Sequence, residues 1–142
     1  MSRYTGRCAC GSITAVINGE ALVVRQCWCR QCQKIAAGSP TTNAMFATEA
    51  LALEGILSSN SYVAASGNVL TQHFCGQCGT PVMGQSSARP QFRVIRLGFL
   101  DMPHDLAPAA AIWIEDAPAW ACIDPALETF PRQAPPPPQP KS

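Results

Sequence analysis

The sequence predicts a mainly β fold made of short strands joined by frequent turns. Glycine and proline account for 10 and 13 of the 142 residues, and they recur at short intervals along most of the chain. Between them lie short runs rich in β-branched and aromatic residues, whereas few windows show the period of an amphipathic helix. Short strand-like runs separated by turn residues are typical of an antiparallel β domain.

The strand candidates differ in strength. The clearest are Ser12 to Asn18, Phe92 to Leu100 and Ala110 to Glu115, which contain the densest sets of β-branched and aromatic side chains. Residues 51–57 and 61–65 are weaker candidates, and 44–53 fits either a short helix or a strand. The order of these runs predicts a β domain without long helices.

The length and the end of the chain predict one domain followed by a tail. A chain of 142 residues fits one domain of ordinary size, which we place at residues 1–130. Residues 131–142 read PRQAPPPPQPKS, and proline at this density favours extended polyproline II over a sheet. We expect a disordered tail or one strapped along the domain; a proline-rich docking ligand is the alternative.

Charge and hydropathy exclude several classes of protein. Hydrophobic residues make up 47% and charged residues 13%, and the net charge is +1 with no charge block. This composition supports neither nucleic-acid binding nor membrane-surface binding. No run approaches the roughly 20 apolar residues of a membrane span, and no apolar run follows the N-terminal basic residues. We therefore expect a cytoplasmic protein, whose clustered cysteines are more often metal ligands than disulfides.

Seven of the eight cysteines form three tight groups. They are Cys8-Ala-Cys10-Gly, Cys27-Trp-Cys29-Arg-Gln-Cys32 and Cys75-Gly-Gln-Cys78-Gly. A lone C-x-x-C also fits a redox motif, but three groups in one small domain predict metal binding. Disulfides within such pairs have poor geometry. We predict that all seven cysteines bind Zn²⁺, with two ions per chain.

Coordination number divides the seven ligands. Two pairs make a closed four-cysteine site, which is structural, and the triplet Cys27, Cys29 and Cys32 is compact enough to hold one ion alone. Cys8 and Cys10 are then left to join Cys75 and Cys78. The three-cysteine site keeps one position open, as catalytic zinc sites do. An open site of this kind is oxidisable, so a preparation can carry one or two ions.

The ligand charge predicts the chemistry of the open site. Three thiolates on Zn²⁺ carry a net charge of −1, which makes the metal a weak activator of water but a good acceptor of an external thiolate. This predicts thiol addition or elimination rather than hydrolysis. Arg30, Lys34 and Arg25 are candidates to offset the negative charge.

Four further residues leave alternatives open. His73 is either a donor near the Cys75 pair or an ordinary strand residue, and His104 lies in a turn. Cys122 follows an apolar stretch and is expected to be buried; the alternative is that it completes the three-cysteine site. Trp28 either forms a wall of the open site or packs in the core.

The motifs resemble one family. The segments RCACGSI at 7–13, CWCRQCQK at 27–34 and FCGQCGT at 74–80, followed by GFLD, Ile112-Trp113 and the stretch 119–130, are similar to the glutathione-dependent formaldehyde-activating enzyme family, which includes the centromere protein V domain. The resemblance covers about residues 3–131.

The resemblance implies a fold, an activity and a site. It implies a β-tent zinc-binding fold, a structural zinc on Cys8, Cys10, Cys75 and Cys78, and a second zinc on Cys27, Cys29 and Cys32. It also implies a carbon–sulfur lyase acting on glutathione and formaldehyde through S-hydroxymethylglutathione. The chain departs from many relatives at Trp28, Ala111 and Gln72-His73, near the expected pocket, which leaves room for another small thiol. The rival hypothesis is a non-catalytic β-tent module in which both zinc ions are structural.

Overall fold

The protein consists of two β-sheets and one short helix. The computed structural model describes residues 2–136, and its strands are β1 (Arg3–Arg7), β2 (Thr14–Asn18), β3 (Val23–Cys27), β4 (Thr41–Ala47), β5 (Leu51–Glu54), β6 (Leu57–Val63), β7 (Val69–Cys75), β8 (Pro81–Ser86), β9 (Phe92–Arg96), β10 (Ala110–Ile112) and β11 (Glu128–Thr129). Helix α1 spans Arg30–Ile35, and three 3₁₀ turns span Thr48–Ala50, Leu97–Phe99 and Ile114–Asp116.

The two sheets differ in size and pairing. The smaller has the order β1-β2-β5, and the larger has the order β11-β10-β3-β4-β9-β8-β7-β6. All pairs are antiparallel except those of β10, which runs parallel to both β3 and β11. The mainly β prediction is confirmed, while β10 departs from a purely antiparallel arrangement because its chain arrives by a long connection rather than a hairpin.

The larger sheet has one face on the core and one face on a groove. On β4, Ala44 and Phe46 are fully buried, whereas Asn43 and Met45 on the other face are partly exposed. Side chains alternate along a strand, so the registers Arg25↔Asn43 and Asn43↔Arg96 align three side chains on the groove face. The polar residues of β3, β4 and β9 thus share one surface.

The core lies between the two sheets. Its fully buried members include Ile13, Ile17, Phe46, Val82, Ile95 and Phe99. A Cβ on Gly6 would lie 2.4 Å from the Phe99 ring, so a glycine on β1 is what lets that ring pack against the strand. The backbone amide of Asp101 donates to Thr5 O at 2.8 Å, which ties the same region to β1.

Local structure deviates from the sequence expectations in several places. The run 12–18 is confirmed as a strand from Thr14 onward. The runs 92–100 and 110–115 end as strands at Arg96 and Ile112, and each is followed by a 3₁₀ turn. The ambiguous run 44–53 is divided between β4, a 3₁₀ turn and β5. Helix α1, inside the second cysteine group, was not expected. Among residues 2–136, no helix is long and apolar enough to span a membrane.

Candidate metal sites and the adjoining groove

The four-cysteine cluster joins the two sheets. Cys8 and Cys10 lie on the loop after β1, Cys75 is the last residue of β7, and Cys78 lies on the turn between β7 and β8. Their four sulfur atoms all lie within 4.8 Å of one another. The Cys8–Cys10 and Cys10–Cys75 Sγ distances are 3.7 Å, and a tetrahedron of sulfurs at the usual Zn–S length has edges of about 3.8 Å. The cluster can therefore hold a tetrahedral metal ion.

The backbone around this cluster is shaped for sulfur ligands. Gly11 and Gly79, each directly after a cysteine, both have φ of +81°, a left-handed conformation that favours glycine. The backbone amide of Ile13 donates to Cys8 Sγ at 3.2 Å. Hydrogen bonds from the Thr80 hydroxyl and from backbone amides lower the pKa of Cys78 to about 5. Donors aimed at sulfur favour the thiolate form that binds metal.

The three-cysteine cluster lies where β3 ends and α1 begins. The sulfurs of Cys27, Cys29 and Cys32 also lie within 4.8 Å of one another. Cys29 caps α1, and its Sγ accepts from the Cys32 amide at 3.4 Å. Hydrogen bonds from the thiols of Cys27 and Cys32 lower the pKa of Cys29 to about 3. The end of β3 and the first turn of α1 together place the three sulfurs.

The base of this cluster is fixed by Gln33. Its buried side-chain amide donates to Trp28 O at 2.7 Å and to Asp116 O at 2.9 Å. The contact to residue 116 ties α1 to a segment far along the chain. Gln33 therefore holds α1 against the segment that contains Asp116.

The structure resolves the open alternatives around the cluster. Within residues 2–136, His73 and Cys122 belong to neither of the two cysteine clusters. His73 bonds to Gln85 within the sheet. The expectation that Cys122 is buried is wrong: the thiol is exposed, because residues 118–127 run along the surface without strand pairing. Trp28 is only 3% exposed and packs inward, so it is not a wall of the groove.

A large groove opens beside the three-cysteine cluster. Its volume is about 880 Å³, and all three cysteines line it. Apolar side chains form most of the surface, including Val23, Met45, Leu70, Phe92, Val94 and Ile112. Arg25, Arg30 and Arg89 also line it, whereas no aspartate or glutamate is among its described lining residues. The groove is therefore suited to an anionic small molecule.

The first part of the proline-rich segment packs against the same cluster. Ala134 is 5% exposed and lies with Cys27, Cys32 and Ile112 in a small apolar cluster. Arg25 Nη2 donates to Pro135 O at 3.0 Å, and the Trp113 amide donates to Arg132 O at 3.0 Å. Up to residue 136 the segment is strapped to the domain, and residues 137–142 lie outside the described part of the chain.

Sequence reasoning missed several residues of the site. Tyr62, Arg89, Trp113 and Gln133 line the groove. Arg96 is buried and does not line it, but the register Asn43↔Arg96 places Arg96 on the same face of the sheet. All five come from β6, β9 and three connecting segments, and no motif marks them. Of the predicted basic residues, Arg25 and Arg30 line the groove, but Lys34 does not.

Comparison with known protein families matches most of the chain to one family model. Residues 3–116 match the family model described as glutathione-dependent formaldehyde-activating enzyme. The chain belongs to this family. Both cysteine clusters of this family member lie wholly within the matched range. The C-terminal strap that covers the three-cysteine cluster begins after it.

A solved structure shares the fold of this glutathione-dependent formaldehyde-activating family member. The crystal structure of a Rhodobacter sphaeroides protein, a structural-genomics target, is similar with a TM-score of 0.55 and 20% identity, covering 70% of this chain and 90% of that chain. At this identity the similarity shows the fold alone. A search of curated proteins finds no match.

Proposed function

We propose that this protein is a zinc-dependent carbon–sulfur lyase acting on a small thiol adduct such as S-hydroxymethylglutathione. The observation that carries the proposal is the three-cysteine cluster, which provides three sulfurs and opens onto a groove large enough for a tripeptide-sized ligand. Membership of the formaldehyde-activating family supports the same reaction class.

The two cysteine clusters have different roles in this proposal. Cys8, Cys10, Cys75 and Cys78 form a closed structural site, and Cys27, Cys29 and Cys32 form the open one. Zinc held by three thiolates supplies an open position at which an external thiol is bound in its deprotonated form. The burial of Cys27 and Cys32 keeps bulk water away from the reacting sulfur.

The groove supplies binding and orientation. Arg25, Arg30 and Arg89 are placed to bind carboxylates of the thiol compound, and no acidic side chain among the described lining residues opposes them. The apolar walls exclude water around its carbon skeleton. In the reaction, the carbon–sulfur bond of the adduct breaks, the hydroxyl proton passes to sulfur, and formaldehyde leaves; the reverse direction forms the adduct.

An exchange measurement tests this function. Zinc per chain is counted, and exchange between glutathione, formaldehyde and S-hydroxymethylglutathione is followed by NMR. We expect two zinc ions and exchange faster than in buffer, lost in Cys29→Ser. Cys122→Ser is the matched control, because this thiol is exposed and outside both clusters. Exchange at the uncatalysed rate by the two-zinc protein would instead support a non-catalytic module.

A further inference from the structure

Arg96 is a buried cation whose hydrogen-bond partners are neutral. The residue is 8% exposed; its Nη1 donates to Asn43 Oδ1 at 2.6 Å and its Nη2 donates to Gln72 Oε1. Among residues 2–136 the ion pairs comprise Arg132 with Glu115, so no carboxylate within ion-pair distance balances Arg96. Burying a charge without a counter-charge is costly.

The strand pairing builds a specific place for this guanidinium. A Cβ on Gly84 would lie 3.1 Å from Arg96 Nη2 and 3.5 Å from Gln72 Oε1, so the glycine on β8 leaves the space that the side chain fills. The partners come from β4 and β7, on either side of β9 and β8. Three strands thus hold one cation in a fixed position.

The groups that place negative charge near this cation when they are ionised are the three cysteines of the cluster and Tyr62. Burial lowers the pKa of Arg96, and the charges of Cys32, Cys27, Tyr62 and Cys29 act in the opposite direction. On β4, Asn43 lies two residues beyond Thr41, which is paired with Cys27. The partner of the guanidinium and the partner of a ligand therefore lie on the same face of one strand.

We propose that Arg96 is the fixed counter-charge of the three-cysteine metal site. Three thiolates around a divalent ion carry a net charge of −1, which one buried guanidinium balances, and a fourth thiolate from a substrate increases the need for it. Arg96 is a positioning residue, held by Asn43 and Gln72 and acting through the field at the ligands. The proposal rests on metal binding in the proposed function and not on its reaction.

Metal affinity is the direct test, with the four-cysteine site as an internal reference. Co²⁺ is titrated into the metal-depleted protein, and the thiolate absorption of the two sites is resolved with Cys29→Ser. In Arg96→Gln we expect the three-cysteine site to bind roughly tenfold to a hundredfold more weakly, as loss of one charge at low effective dielectric implies. The affinity of the four-cysteine site should not change. Arg96→Lys should recover most of the loss.

Two further variants separate charge from structure. Arg93→Gln is the matched control, because Arg93 lies on the same strand and bonds to Thr48 and Pro90 instead. Gln72→Glu keeps the guanidinium and its partner but adds a carboxylate, so it should also weaken the three-cysteine site. If Arg96→Gln does not fold, the metal affinity of Gln72→Glu tests the counter-charge by itself.

The outcomes distinguish this proposal from the proposed function. Unchanged affinity in Arg96→Gln and Gln72→Glu, or equal weakening of both metal sites, would overturn the counter-charge. Failure of the unaltered protein to bind a second metal ion would overturn both. A second ion whose affinity depends on Arg96, without catalysed adduct exchange, would leave the counter-charge standing and remove only the lyase reaction.

Discussion

Loss of a ligand should affect folding far more in the four-cysteine cluster than in the three-cysteine cluster. The variants are Cys78→Ser and Cys29→Ser, two nearly isosteric changes at thiols that are not fully buried. Each removes one sulfur ligand and leaves little cavity. The difference between them therefore reports what each metal site contributes to the fold.

The magnitude follows from the length of chain that each site closes. Cys10 and Cys75 lie 65 positions apart. Cross-linking a loop of this length raises the free energy of the unfolded state by about 4 kcal/mol at room temperature, because the unfolded chain loses entropy. The three-cysteine cluster spans only Cys27 to Cys32, for which the same relation gives about 2 kcal/mol. Domain stability is typically about 5–15 kcal/mol. Cys78→Ser should therefore leave a marginal fold.

Urea denaturation followed by circular dichroism, with zinc counted by mass spectrometry, measures both effects. We expect Cys78→Ser to lower the free energy of unfolding by up to about 4 kcal/mol, the full value applying where the zinc count shows that the ion is lost, and Cys29→Ser by half of that or less. Cys122→Ser should change it by less than about 0.5 kcal/mol, because that thiol is exposed. Equal losses in the first two variants would refute the division into a structural and an open site.

Three more outcomes test the groove, the turn at Gly79 and the C-terminal segment 132–136. Arg89→Gln should raise the KM for S-hydroxymethylglutathione about tenfold, because a hydrogen bond to a charged group is lost. The effect should shrink at high salt. A loss of kcat with an unchanged KM would contradict carboxylate binding by Arg89. Gly79→Ala should lower stability by about 1–2 kcal/mol in chemical denaturation, because φ is +81° with open space around it, while Gly98→Ala, which lacks that conformation, should not. A chain ending at Pro131 should show faster labelling of Cys27 and Cys32 by a thiol reagent in the zinc-free site, because Ala134 no longer covers them; an unchanged labelling rate would exclude a protective strap.

The two cysteine clusters could be predicted because the cysteine motifs are a local signal. Cys27, Cys29 and Cys32 lie within six residues of one another. The two remaining cysteine pairs, 8–10 and 75–78, then leave few ways to complete a closed four-cysteine site. Short spacing restricts geometry before the chain folds. The same reasoning predicted the mainly β class, since turn residues and β-branched runs act on neighbouring residues.

Helix α1 and the outward position of Cys122 could not be predicted from local pattern. The α1 segment lacks an amphipathic period, and it is held by Cys29 at its start and by Gln33, whose amide reaches residue 116. Cys122 follows apolar neighbours, but its segment pairs with no strand among the described residues, and its thiol is exposed. Contact with a distant segment decided the first outcome, and the lack of such contact decided the second.

The sequence by itself determined which sulfur atoms form clusters that could hold a metal ion, and the tertiary structure decided what surrounds them. Seven cysteine sulfurs form two clusters because their spacing allows little else. The field and shape around the open cluster depend on strand register: Arg96 reaches the groove face only because β9 pairs with β4 in the register Asn43↔Arg96, with Gly84 leaving room beside it. Register is a property of long-range packing, since a shift by one residue would turn every side chain to the other face.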